Sequence, residues 1–459
     1  MKNFIEQLIA RAWNLAAGGR QRPVTSVGLA LGHPILDGQL TRMVTTIPHL
    51  KRTEHIAILG KTGTGKSSLL RYMASQDIRN DRGFIYFDLH GDTTAYLIGL
   101  AAEEELRRRQ DLSGKLIVIE PADPEYSIGL NVLERRGGQH SFLQIAEFAQ
   151  ILKQRWHLDS FGARTEELLR NSLHVLADNN LTLLELAPLL TNSPFRAACL
   201  RRATNPEVRD YFAIRYDQAT EAMQATYREA ILNKVSAFTA DPQFRHVLGQ
   251  QQSSFSLLSA IDEGYWIVLD LNKGRLGEQA ITLGSLFLTK IKNALFSRQH
   301  RSLFTLYCDE IQNLVALDSG LDTLISEARK FAVSICSANQ FLDQYPAHMR
   351  AAIMAVGTHI FFQLSSRDAD SIASALDGGR TLEGLLKNLP PRQMVVKSGH
   401  HRWQQAQVPT IPVPKCDWRD LYGRCRNRWA RRRSEIEEEI RRRHAVATRS
   451  SNEVLHDWE

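Results

Sequence analysis

Gly60-Lys61-Thr62-Gly63-Thr64-Gly65-Lys66-Ser67 decides how this chain is read. It matches G-x-x-x-x-G-K-[ST] at every position, and its surroundings fit the pattern. The run His55-Ile56-Ala57-Ile58-Leu59 before it has the composition of a buried strand, and Ser67 to Ile78 after it reads as a helix. Three glycines let the loop wrap tightly and turn its backbone N–H groups inward, and the helix N-terminus adds its positive end. Such a cradle suits the phosphates of ATP. The expected nucleotide contacts are Gly60, Lys61, Thr62, Gly63, Thr64, Gly65, Lys66, Ser67 and Ser68. Lys66 would reach the β- and γ-phosphates, and the Ser67 hydroxyl would hold Mg²⁺. The competing reading is a flexible glycine loop that binds nothing.

A phosphate loop of this kind needs an acid at the end of another strand. Leu306-Tyr307-Cys308-Asp309-Glu310 supplies two. Asp309 would bind Mg²⁺ through water, and Glu310 would polarise the attacking water. That pair favours a hydrolase over a small-molecule kinase, which must exclude water and needs an acceptor pocket. The next apolar run ends in Ala338-Asn339-Gln340, and Gln340 can bond the γ-phosphate or the lytic water. Arg329, within Glu327-Ala328-Arg329-Lys330, is the first candidate for a finger reaching a neighbouring subunit's γ-phosphate, and Arg367 is the second. Phe87-Asp88-Leu89-His90-Gly91-Asp92 brings Asp88, His90 and Asp92 to the same carboxyl-end rim. Ordinary turn chemistry explains that trio as well as a site does.

Strand signals recur at Gly83–Asp88, Lys115–Ile119, Tyr265–Leu269, Leu303–Tyr307, Ala332–Cys336 and His359–Phe362, separated by helical stretches. Strands alternating with helices predict an α/β fold with a parallel central sheet. From about Gln139 to Gly249 the spacing is helical throughout: Phe142, Ile145, Ala146, Phe148, Ala149 and Leu152, then Leu168, Leu169, Leu173, Val175 and Leu176. The expected division is an amphipathic N-terminal helix and linker over 1–22, a first part of the core over 23–138, and an all-α insertion over 139–250. The second part of the core follows over 251–412, then a basic, helical tail over 413–459. In the N-terminal helix, Ile5, Leu8, Ile9, Ala12 and Trp13 share one face. From Lys415 to Arg433 the tail has eight basic and two acidic residues, with Trp418, Tyr422 and Trp429 among them. That pattern suits either nucleic acid or a docking arm. The second half pairs Glu435 to Glu439 with Arg441 to Arg443, as a solvated helix does.

Composition sets looser bounds. The chain has 459 residues, 43% hydrophobic and 23% charged, which excludes wholesale disorder. A net charge of +7 permits a polyanionic partner without requiring one. Five scattered cysteines argue against a disulfide framework and for a reducing compartment. No run approaches the roughly 18 apolar residues of a membrane helix.

Taken in order, these segments resemble the HerA/FtsK superfamily of ring-forming DNA-pumping ATPases. Within it the chain is similar to the coupling ATPases of conjugative DNA transfer and type IV secretion. The carriers are the phosphate loop, Phe87 to Asp92, Ile128-Gly129-Leu130-Asn131-Val132-Leu133, Arg164 to Arg170, Asp309-Glu310, Glu327 to Phe331 and Gln340 to Gln344. The resemblance implies a RecA-like core with a helical insertion, and a homo-hexameric ring with ATP sites between subunits. It also implies DNA threaded through the pore. Coupling proteins usually carry N-terminal membrane helices. Their lack here favours a soluble translocase or peripheral motor, placed in the cytoplasm or peripherally at the inner membrane. Val132 stands where the family often has Pro. Lys273-Gly274-Arg275 is the candidate for a pore loop that grips phosphates, or else a plain turn. The leading expectation is an ATP-driven DNA motor. The alternatives are an ATP-regulated scaffold and a protein-export ATPase of a secretion machine.

Overall fold

The computed structural model describes residues 28–134, 141–155, 162–310, 313 and 321–448. The helix expected over 1–22 lies outside them. The chain enters through an antiparallel group, β1 (Gly28–Leu36), β2 (Gln39–Leu40) and β3 (Thr45–Pro48). Then follow β4 (Ile56–Leu59), β5 (Phe84–Asp88), β6 (Leu116–Ile119) and the two-residue β7 (Tyr126–Ser127). After a helical stretch come β8 (Trp266–Asp270), β9 (Phe304–Asp309), β10 (Val333–Asn339) and β11 (Thr358–Phe361). The last strands are β12 (Gln393–Ser398), β13 (Gln404–Gln407) and β14 (Arg431–Arg432).

A 12-stranded sheet runs in the order β2-β1-β13-β12-β11-β4-β10-β9-β5-β8-β6, with β3 beside β1. From β11 to β6 every pairing is parallel, and from β11 back to β2 every pairing is antiparallel. The parallel strands are buried along their whole length, which requires cover on both faces.

The two-residue period of a strand sorts the side chains. Ile56, Ile58, Phe84 and Tyr86 join one buried cluster, while Ala57, Ile85 and Phe87 join the other. On the first face lie α1 (Lys66–Arg79) and α2 (Thr94–Arg108), which contribute Leu69, Leu70, Met73, Leu97 and Ala101. On the second side, α3 (Ala163–Asp178) and α4 (Gln279–Phe296) contribute Leu168, Leu173, Leu283 and Leu286 to the other cluster.

Between β7 and β8 the described residues form helices and turns, without a strand. Their apolar side chains, Leu168, Leu173 and Phe212 among them, belong to the same buried cluster as Ile85 and Phe87 of the sheet. Asn131 ties the start of this stretch to its end. Fully buried, its amide donates to Gln251 O at 2.9 Å and to Leu181 O at 3.3 Å, and its oxygen accepts from Leu133 N at 2.9 Å.

The tail is a strap rather than a free arm. Helix α5 (Arg419–Trp429) buries Leu421 and Cys425 in the first-face cluster, and β14 pairs with β7. Then α6 (Arg433–Thr448) crosses to the helical stretch, where Arg443 donates to Glu185 Oε1 at 3.0 Å and Arg245 to Glu437 Oε2 at 2.9 Å. Along α6 the acids and bases pair at i,i+4, with Arg443 donating to Glu439 at 2.8 Å. Several of the tail's aromatic and basic side chains face the body of this chain, while Arg419, Arg441 and Arg442 remain exposed. Tyr422 donates to Glu120 at 2.7 Å, Trp429 Nε1 to Ser113 O at 3.0 Å, and Arg424 pairs with Glu105 and Asp111 at 2.5 Å each.

Candidate active site

Leu59, the last residue of β4, pairs with Asn339 of β10, and Ala338 pairs with Asp309 of β9. Parallel strands in register bring their carboxyl ends to one rim. The loop after β4, the acids ending β9 and Gln340 after β10 therefore meet there. The loop is tied to both neighbouring strands: Gly60 N donates to Asn339 O at 3.1 Å and Lys61 N to Gln363 O at 2.8 Å. Gly60 has no room for a side chain, because a Cβ there would lie 2.6 Å from Phe362 Cβ. Gly65 has φ 119° at the start of α1, a left-handed position glycine adopts at little cost. Behind it stands Arg392, whose N–H donates to Thr64 O at 2.8 Å.

Lys66 is buried and its Nζ donates to Gly60 O at 2.7 Å and Lys61 O at 2.9 Å. Burial holds its pKa below the ordinary lysine value, against the opposing pull of Asp309 and Glu310. Ser67 Oγ donates to Asp309 Oδ2 at 2.6 Å. Burial raises the Asp309 carboxyl, partly offset by the Ser67 hydrogen bond and by Lys66. A hydroxyl and a carboxylate in contact form a hard-oxygen pair of the kind Mg²⁺ takes, so these residues fit that ion.

Glu310 follows with a positive φ of 55°. Its Oε1 accepts from Gln340 Nε2 at 3.0 Å and lies 3.5 Å from His90 Nε2. Its Oε2 accepts from Asn313 Nδ2 at 3.0 Å and lies 3.5 Å from Lys273 Nζ. Burial pushes this carboxyl up, but His90, Lys273 and the Gln340 bond outweigh it and hold it below the usual glutamate value.

The rest of the Phe87–Asp92 segment divides. Asp88 is a turn residue: its carboxylate accepts from the N–H groups of Gly91 (2.9 Å), Thr93 and Thr94 (2.8 Å each) at the start of α2. His90 reaches Glu310. Beside Asp88, Asp270 ends β8, and burial, with Asp88 and Glu120 nearby, pushes its carboxyl up to about 6.

Lys273, considered above as a pore loop, begins a short helical turn after β8 and points to Glu310, while Arg275 pairs with Glu120 at 2.5 Å. Asn313, Arg392 and the closeness of Lys273 to Glu310 had no signal in the sequence, because strand order decides which loops meet. Arg329 stands apart. It precedes β10, at the opposite rim from the phosphate loop, two-thirds exposed and 3.5 Å from Glu54. Arg367 follows β11 on the rim of the loop and pairs with Asp343 at 2.7 Å.

A phosphate loop on a parallel strand, with the acids two strands away across β10, defines a P-loop ATPase with a RecA-like core. Residues 49–291 match the family profile described as "Helicase HerA, central domain". The chain belongs to that family, as a P-loop ATPase of the HerA/FtsK type. No curated protein matches it. Among solved structures it is similar to the plasmid coupling protein TrwB in complex with the ATP analogue ADPNP. The identity is 16% and the TM-score 0.58, over 87% of this chain and 98% of that one. TrwB in complex with ADP and Mg²⁺ matches at 16% identity and a TM-score of 0.55, over 87% and 99%. VirB4 of Thermoanaerobacter pseudethanolicus matches at 17% identity and a TM-score of 0.57, over 84% and 97%. Identities this low speak for the fold. Among the described residues no helix is long and apolar enough to cross a membrane.

Proposed function

We propose that this chain is an ATP-hydrolysing motor that assembles as a homo-hexameric ring and translocates DNA, in the manner of conjugative coupling ATPases. The observation that carries the reading is the Ser67–Asp309 contact with Glu310 beside it, on the rim that holds the phosphate loop. In this account the loop N–H groups and Lys66 hold the phosphates of ATP. Mg²⁺, bound by Ser67 and Asp309, supplies charge neutralisation on the phosphate oxygens. Glu310 accepts a proton from the attacking water, and Gln340, already on Glu310, orients that water.

Arg329 completes a neighbouring subunit's site. Its position on the far rim keeps it from its own loop, and its exposure leaves it available to another copy. The likeness in fold to TrwB, titled a plasmid coupling protein, supports a role in DNA transfer, and the likeness to VirB4 supports a place beside type IV secretion components. A scaffold or protein-export ATPase shares the nucleotide site and differs in its indifference to DNA. The proposed chemistry is tested by ATP hydrolysis of the purified chain beside Lys66→Ala and Glu310→Gln. Turnover that survives in both variants would reject this site as its source.

A further inference from the structure

A carboxylate offers about four lone-pair directions. Around Glu310 four side chains from four separate segments gather, two at each oxygen. Each oxygen has one neutral amide at 3.0 Å, Gln340 on Oε1 and Asn313 on Oε2. Each also has one basic side chain at 3.5 Å, His90 on Oε1 and Lys273 on Oε2. The backbone at Glu310 itself is left-handed, with φ 55°. A general base must offer a free lone pair to the water it deprotonates, with heavy atoms about 2.6–3.2 Å apart. The two short amide bonds take one direction on each oxygen, and the two basic side chains at 3.5 Å crowd the directions that remain.

We propose that Lys273 and His90 are positioning residues that restrain Glu310, and that hydrolysis requires at least one of them to let go. They are the releasable half of the clasp. Their contacts are the longer ones, and their side chains are 29% and 50% exposed. They also sit on loops after β8 and β5, apart from the segment that carries Glu310. The two amides, at shorter range, stay with the carboxylate and keep it aimed. The step they control is the ordinary one: water gives a proton to Glu310, and its oxygen forms the bond to the γ-phosphorus as the bond to the bridging oxygen breaks.

This inference rests on the proposed role of Glu310 as the base, and its test separates the two. The full-length chain is assayed without DNA as wild type, Lys273→Ala, Lys273→Arg, His90→Gln and Glu310→Gln, with kcat and KM for ATP measured for each. The expected result is a rise in kcat on the order of tenfold in Lys273→Ala, the size of one lost charge-assisted hydrogen bond. A smaller rise is expected in His90→Gln. KM should be unchanged in both, and Lys273→Arg should behave as wild type because it keeps the cation. Unchanged thermal melting shows that the variants are folded. A kcat that falls or stays level in both Lys273→Ala and His90→Gln, with wild-type turnover still dependent on Glu310, overturns the restraint and leaves the base assignment standing. Wild-type turnover that is indifferent to Glu310→Gln overturns both.

Discussion

In the proposed mechanism, Glu310 and Lys66 are the residues on which the chemistry turns. Glu310→Gln keeps the shape and the amide contacts but cannot take a proton. Its kcat should fall by roughly 10²–10⁴, with nucleotide binding preserved in a fluorescence titration. Lys66→Ala removes the ammonium over the loop, and nucleotide affinity should fall together with turnover. Asp270 gives a prediction of another kind. Its carboxyl is pushed up to about 6 from an ordinary value of 3.8 by burial and by Asp88 and Glu120. Between those values the folded chain keeps a proton that the unfolded chain has lost. The residue's contribution to stability is therefore most favourable below about pH 4, declines as pH rises to 6, and is flat above. Asp270→Asn fixes the neutral form. Its melting temperature should exceed wild type by a margin that grows from pH 4 to about pH 6 and then levels off. A margin independent of pH would mean that Asp270 is not held this way. The loop and the two acids were legible at this scale because motif and chemistry coincide in consecutive residues. His90, Lys273 and Asn313 were not, since nothing in their own neighbourhoods says that they converge on Glu310.

Elements were legible where burial on both faces dictates their composition. Phe84–Asp88 and Leu116–Ile119 are apolar runs, and each appeared within a residue of its expected position. The antiparallel wing was missed. The β13 sequence is Gln404-Gln405-Ala406-Gln407, and β1 contains Gly28, Gly32 and Pro34, so neither has the composition of a strand. Pairing with neighbours makes them strands, and a single sequence does not display its neighbours. The tail shows the same effect in reverse. Its Arg and Trp content suits nucleic acid, yet Arg424, Tyr422 and Trp429 are engaged by acids and carbonyls of this chain. Helix α5 should therefore act as part of the body. Leu421→Ala, which empties a buried position on the first face of the sheet, should cost about 2–5 kcal/mol. It should also speed proteolytic cleavage of the tail. Cleavage at the wild-type rate, with unchanged melting, would show that the strap contributes nothing to the fold.

At the scale of the whole molecule, strand order does what no local pattern can. With β10 between the loop strand and β9, Asp309 arrives at Ser67, and Glu310 follows it on the same rim. The same order sends Arg329 to the far rim, away from its own loop, and in the proposed ring it would serve another copy. Arg329→Ala should then lose most ATP turnover while binding nucleotide normally. Mixing it with Lys66→Ala should restore part of the activity, as each variant supplies what the other lacks across an interface. No recovery on mixing would place the finger elsewhere, with Arg367 the next to test. The central claim, that hydrolysis drives movement along DNA, is met most directly by steady-state ATP turnover of the wild-type chain with and without DNA. The account predicts strong stimulation by DNA that disappears in Glu310→Gln. Turnover of the same size with and without DNA would contradict a DNA motor and favour a scaffold or protein-export ATPase built on the same site.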